Sequence, residues 1–286
     1  MRGVFITAAV SALLLAALVF LRPFSAYLSG PPAPDTKGHA SRPLPQAVRG
    51  APATLSRVAP IEALGQVEQR IFDRTNEQRR RQGLRPLDHD GNLSAVARRH
   101  SEDMLRRGFF DHVNPDNESP ADRVALTCRQ LIGSSGENIW MRSGYAASQL
   151  SSLAEEALAS LMSSPAHREN IFRPAFTHLG VGVAAMASEV RLTQVFADIE
   201  GLTDSPVPVF VKRGELLRFA VRTLTPGVTC DTFDVWRSRT GLRVLGPLPT
   251  SGGRIDVPPG LYTLRFYFWS ADGRIAIYPG PQIEVR

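Results

Sequence analysis

Lysine is almost missing from this sequence. Of 33 basic residues in 286, only Lys37 and Lys212 are lysine, so the formal net charge of +6 rests on arginines scattered along the chain. A nucleic-acid surface needs its positive charge gathered on one face or along one helix. The densest run, Arg79 to Arg81, suits a solvated helix face instead, and no nucleic-acid partner is expected. Cysteine is equally scarce. Cys128 and Cys230 are too few for a disulfide-built scaffold, and they read either as two buried thiols or as one bond between domains. The usual protease and esterase templates are missing as well. There is no His-Glu-x-x-His helix, no Gly-x-Ser-x-Gly elbow and no nucleophile signature pairing a Cys with a His.

One long hydrophobic run is present. Val4 to Leu21 carries no charge, which is long enough for a signal core or a short membrane span. The following "RPFSAYLSG" offers no small-x-small cleavage site, which favours an uncleaved anchor over full secretion. Residues 1–29 are therefore expected to be a signal peptide or membrane anchor. Residues 30–60, rich in Pro, Ala and Ser, are expected to be a linker in which His39 is solvated. Everything beyond is expected outside the cytoplasm, facing the periplasm from the inner membrane or secreted.

From Ile61 the apolar spacing turns helical, with Ile61, Leu64, Val67 and Ile71 on one face and Gly83 as the stop. A second helix from about Asn92 has Leu93, Val96, Ala97, His100 and Met104 inside, which makes His100 a hydrogen-bonded core histidine. A third, "SQLSSLAEEALASLMSS", has Leu150, Leu153, Ala154, Ala157, Leu158 and Leu161 on one side. In "SPAHREN" a short helix restarts with Ser164 as N-cap, Pro165 in the first turn, and His167 near Arg168 and Asn170. The β-rich "HLGVGVAAM" and "VRLTQVFADI" predict a strand pair around a turn at Ser188 and Glu189. The fold class is thus α+β: an α-β-α sandwich over 61–203, then short alternating segments over 205–286 that predict a small β-sandwich. "PPGLYTL" resembles the tyrosine corner of immunoglobulin-like domains, with Tyr262 bonding back to backbone.

The stretch "SSGENIW" sets a carboxylate, Glu137, at the edge of an apolar segment. Gly136 suits a tight backbone, Asn138 a side-chain hydrogen bond, and Ile139 and Trp140 burial. An acid in that position is costly unless it has partners.

Those partners are suggested by motifs that occur in order from Ile61 to Glu200: "NEQRRRQGLRPLDHDGNLSAVARRHSEDMLRRGFFDH", "DRV", "GENIW", "SPAHRENIF" and "FTHLGVGV". Together they resemble a bacterial member of the CAP superfamily, named for cysteine-rich secretory, antigen 5 and pathogenesis-related proteins. The resemblance implies an α-β-α sandwich with a cleft where His112, Glu137 and His167 converge. It offers His178 as a candidate fourth member and Asn138, Arg168 and Asn170 as support. Leu161 stands where many relatives have Trp, which removes an aromatic wall, and Ala166 stands where they have Gly.

Two imidazoles and a carboxylate within reach could hold Zn²⁺ with an open fourth position, His112 and His167 being the metal-ligand candidates. They could equally form a metal-free acid and base pair or a structural network. The expected function is an exported CAP-domain protein that binds a lipid, a metal or a partner protein in a His/Glu cleft at the cell envelope. A metal-dependent hydrolase with Glu137 as base is the alternative, and an adhesion module presenting only surfaces is a third.

Overall fold

The computed structural model describes residues 61–144 and 150–286. The expected anchor, the linker and His39 lie outside the described residues. Among those described, no helix is long and apolar enough to cross a membrane.

Helix α1 (Ile61–Arg81) ends where expected, because Gly83 takes φ 70° and Leu84 N–H returns to the Arg79 carbonyl at 3.0 Å. Strand β1 (Asp88–His89) leads into α2 (Gly91–Arg107), whose N-cap Asp90 accepts from Leu93 N–H. After α2 come α3 (Pro120–Thr127), β2 (Leu131–Ser143), α4 (Leu150–Ser163), α5 (Pro165–Phe172), β3 (His178–Met186) and β4 (Glu189–Thr203). The sheet order is β1-β3-β4-β2. β1 runs parallel to β3, and β3 and β2 run antiparallel to β4.

Helices cover both faces of this sheet. On one, Leu93, Val96 and Ala97 of α2 and Val124 of α3 pack on Val195, Ala197 and Ile199. On the other, α1, α4 and α5 close over Trp140, Val181, Leu192 and Phe196. Leu161 belongs to this second core and is 1% exposed. The "GVG" of β3 is explained by the first face. A Cβ on Gly182 would stand 2.0 Å from the backbone nitrogen of Arg98, so α2 rides directly on the strand.

"GENIW" falls inside the thirteen-residue strand β2 and not in a turn. Gly136 is needed for close approach, since a Cβ there would stand 2.7 Å from the Phe176 ring. Local turn chemistry in "SSG" concealed the strand, and sheet pairing with β4 overrode it.

The remaining strands are β5 (Phe210–Val211), β6 (Glu215–Leu217), β7 (Val221–Thr223), β8 (Val228–Arg237), β9 (Leu242–Pro249), β10 (Gly253–Ile255), β11 (Gly260–Ser270) and β12 (Ile275–Val285). They form a five-stranded sheet, β5-β12-β11-β8-β9, and a two-stranded one, β10-β6, whose Ile255 and Leu217 join Phe233, Phe266 and Ile283 in one core. Ile132 of β2 sits in that same core, and β7 extends the first sheet through β4. Tyr262 is fully buried and its hydroxyl donates to the Pro258 carbonyl at 2.6 Å. Cys128 and Cys230 are both free and buried, and burial pushes each thiol up to about 12.

Candidate functional site

Glu137 projects from β2 with 6% of its surface exposed, opposite Val195 of β4. Its Oε2 accepts from an Arg123 NH group at 2.7 Å, and its Oε1 lies 2.8 Å from Nδ1 of His112. Arg123 arrives by way of α3. That helix begins with Pro120 behind a capping box, in which Asp122 N–H donates to the Ser119 hydroxyl and Asp122 accepts in return from Ser119 N–H. The second guanidinium nitrogen of Arg123 donates at 2.9 Å to the carbonyls of both His112 and Glu118. One arginine therefore fixes the carboxylate and the loop that carries the imidazole.

A carboxylate can only accept, so the bond to Glu137 sets the proton of neutral His112 on Nδ1 and leaves Nε2 as an acceptor. The imidazole is partly in solvent, with its side chain 39% exposed against 1% for Glu137. His100 lies beneath them, buried as predicted. Its Nε2 stands 3.0 Å from the Asp111 carbonyl and 3.8 Å from Glu137 Oε1. Burial holds its pKa down against the opposing pull of Glu137, and its Nδ1 has no hydrogen-bond partner among the described residues. It is a core histidine that also forms the floor of the site.

His167 is brought in by α5 through a buried amide network. Asn138 donates to the His167 carbonyl and to Gln194 Oε1, both at 3.1 Å. Asn170 donates to the Glu137 carbonyl at 3.1 Å and to Asn138 Oδ1 at 3.0 Å. Gln194 in turn donates to the Thr75 hydroxyl of α1. These side chains are all at least nine-tenths buried, and each bond replaces water that the core excludes. The half-buried His167 imidazole is held to low pKa by burial first and by His112 second, so it lies within reach of the charge on the other ring.

Three expectations are corrected. Ser164 sits at the α5 N-cap but makes no side-chain cap bond. Arg168 is exposed and donates to the Met162 carbonyl, away from Glu137. His178 opens β3 between Asp88 of β1 and Ala197 of β4, where its Nδ1 meets the Thr177 hydroxyl at 2.8 Å; the charges that act on it are Asp88, Asp90 and Arg85. It does not join the other three. The sequence reading in turn missed Arg123, Gln194 and Thr75. Arg123 was legible in principle, because "DRV" supplies a cation next to a capping-box acid and a buried Glu137 requires one.

The zinc set does not form as expected. Among the described residues, no group of three or more His, Cys, Asp or Glu side chains is placed to hold a metal ion. The reason is local: both Glu137 oxygens are engaged, one by a guanidinium that already balances the charge.

Comparison with known proteins follows the same segment. A solved structure of an extracellular protein containing an SCP domain from Bacillus anthracis is 32% identical, covering 46% of this chain and 40% of that one, with a TM-score of 0.40. The uncharacterized protein YkwD of Bacillus subtilis is 36% identical over 121 residues, which is 42% of this chain and 44% of YkwD. The uncharacterized membrane protein YlbC of the same organism is 34% identical over 116 residues, 41% of this chain and 31% of YlbC. The chain thus spans less than half the length of the curated relatives it matches. The pattern of the cysteine-rich secretory protein family, CAP, matches residues 72–196, which contain His112, Arg123, Glu137 and His167. Between α1 and β4, this chain carries a bacterial domain of the CAP superfamily.

Proposed function

We propose that this chain is an extracytoplasmic binding protein, tethered by its N-terminal apolar segment, whose CAP domain engages an amphiphilic lipid through His112 and His167. One observation carries it. The His112–Glu137 bond at 2.8 Å turns Nε2 outward as a hydrogen-bond acceptor for a polar head group. Phe110 and Val113, each 42% exposed, stand on either side of His112 and offer apolar contact for a tail. The uncharged run from Val4 to Leu21 supports the tether. The β-strands after Ser205, an immunoglobulin-like sandwich on the strength of the buried Tyr262–Pro258 bond, supply a second contact surface.

The same dyad favours one alternative, a hydrolase in which His112 is the general base and Glu137 only orients it, since both Glu137 oxygens are occupied. Native mass spectrometry of the full chain taken from bacterial membranes tests the binding reading. A lipid mass carried by the wild type and absent from the His112→Ala, His167→Ala double variant supports it, and equal loading of both proteins overturns it. Ester hydrolysis lost on His112→Ala alone favours the alternative.

A further inference from the structure

We infer that Gln282, on β12 far along the chain, is a positioning residue for the His112–Glu137 site, so that the C-terminal β-structure sets the state of the CAP-domain imidazole. This rests on the proposal that His112 is the binding group. Gln282 is 2% exposed, and its Nε2 donates to Asp122 Oδ1 at 2.5 Å. The other oxygen of Asp122 accepts from the backbone N–H and the hydroxyl of Ser119, at 2.9 and 2.6 Å. Asp122 therefore closes the first turn of α3 while β12 holds it in place. Arg123 is the next residue, and its guanidinium reaches Glu137 and the His112 carbonyl.

The chain of contacts is short and mostly buried, and each link has little freedom. The orientation of the Gln282 amide is fixed by charge. Its Oε1 is buried without a hydrogen-bond partner among the described residues, and turning the amide over would set that oxygen against the Asp122 carboxylate. An apolar residue would fill the same space without leaving an oxygen unsatisfied, so the glutamine is explained by its bond to Asp122 and not by packing. Around it, Ile132 of β2 already lies in the C-terminal core, so β12 and the strand that bears Glu137 share one packed body.

Histidine-selective nitrogen NMR on the full chain, without ligand and at alkaline pH, reads the effect as the fraction of His112 that carries its proton on Nε2 rather than on the Nδ1 that faces Glu137. In Gln282→Met, α3 loses its outer contact and Arg123 its fixed approach to Glu137. A carboxylate no longer fixed by its guanidinium is a poorer acceptor for the Nδ1 proton, so the fraction should rise measurably above wild type. Gln282→Glu, of the same shape but with a charge that repels Asp122, should move it in the same direction. Gln130→Met, which removes another contact at this junction, the bond to the Thr203 carbonyl, should leave it unmoved. An unchanged fraction in both Gln282 variants overturns the inference, as does failure of both to fold, which would make Gln282 structural only. Because no ligand is present, the result is independent of whether a lipid binds.

Discussion

Arg123 and Glu137 meet at 2.7 Å with their side chains only 9% and 1% exposed, the one arginine–carboxylate pair among the described residues in which both partners lie so deep. Breaking such a pair leaves an uncompensated charge in the core. Arg123→Met and Glu137→Leu should each lose roughly 3–5 kcal/mol in urea denaturation, and the double variant should recover part of the sum. Glu137→Gln keeps the shape and an acceptor, so it should cost about 1–3 kcal/mol. Equal stabilities for the Gln and Leu variants would show that Glu137 has no partners in solution.

Arg79, expected on a solvated helix face, is instead fully buried, and among the described residues no carboxylate pairs with it. Its guanidinium donates to the carbonyls of Arg85, Ile171, Arg173 and Phe176 at 2.8 to 3.3 Å, which pins the end of α5 and hence the helix that bears His167. A lysine ammonium is a point donor and cannot span four acceptors. Arg79→Lys is therefore expected to destabilise by about 2–4 kcal/mol and to broaden the His167 resonance. A wild-type melting curve for that variant would count against the staple.

Chelation should have no effect. With Glu137 satisfied on both oxygens, dialysis against EDTA should leave the melting temperature of the full chain within error. A fall restored specifically by zinc would reveal a site that the described geometry does not contain.

Much of this was legible in the sequence. Helical spacing located α1 and α2, and the stripe from Leu93 to Met104 is buried as read, His100 included. The ordered motifs picked out His112, Glu137 and His167, together with Asn138 and Asn170. What stayed hidden were long-range consequences of packing. β2 was concealed because "SSG" has turn composition, and its strand character comes from thirteen pairings with β4. Arg168 and Arg123 exchange importance for the same reason. Proximity in sequence favoured the arginine beside His167, whereas the capping box of α3 aims the more distant one at Glu137. Gln282 carried no local signal, as its meaning depends on a contact across 160 positions.

The pH dependence of stability should carry two opposed contributions. Burial holds His100 and His167 below the ordinary value of 6.5, so each stabilises the fold fully above that pH, and this stability is lost as pH falls below it and the unfolded chain takes up protons first. Asp198 acts the other way. Half-buried on β4 and repelled by Glu200, its carboxyl is pushed from 3.8 up to about 7, with burial the larger cause. Between those two values the folded state holds a proton that the unfolded state has released, so stability falls as pH rises through the window and the full penalty applies above it. Asp198→Asn removes that penalty. At about pH 8 the variant should be more stable than wild type by on the order of 1–2 kcal/mol, discounted for the water that still reaches the group. Towards about pH 4 the two should converge, while the variant shows the histidine loss alone as a steeper decline. Urea midpoints at three pH values measure both slopes. Parallel profiles for the two proteins would mean that Asp198 ionises normally in the fold, and any acid loss would then belong to the histidines.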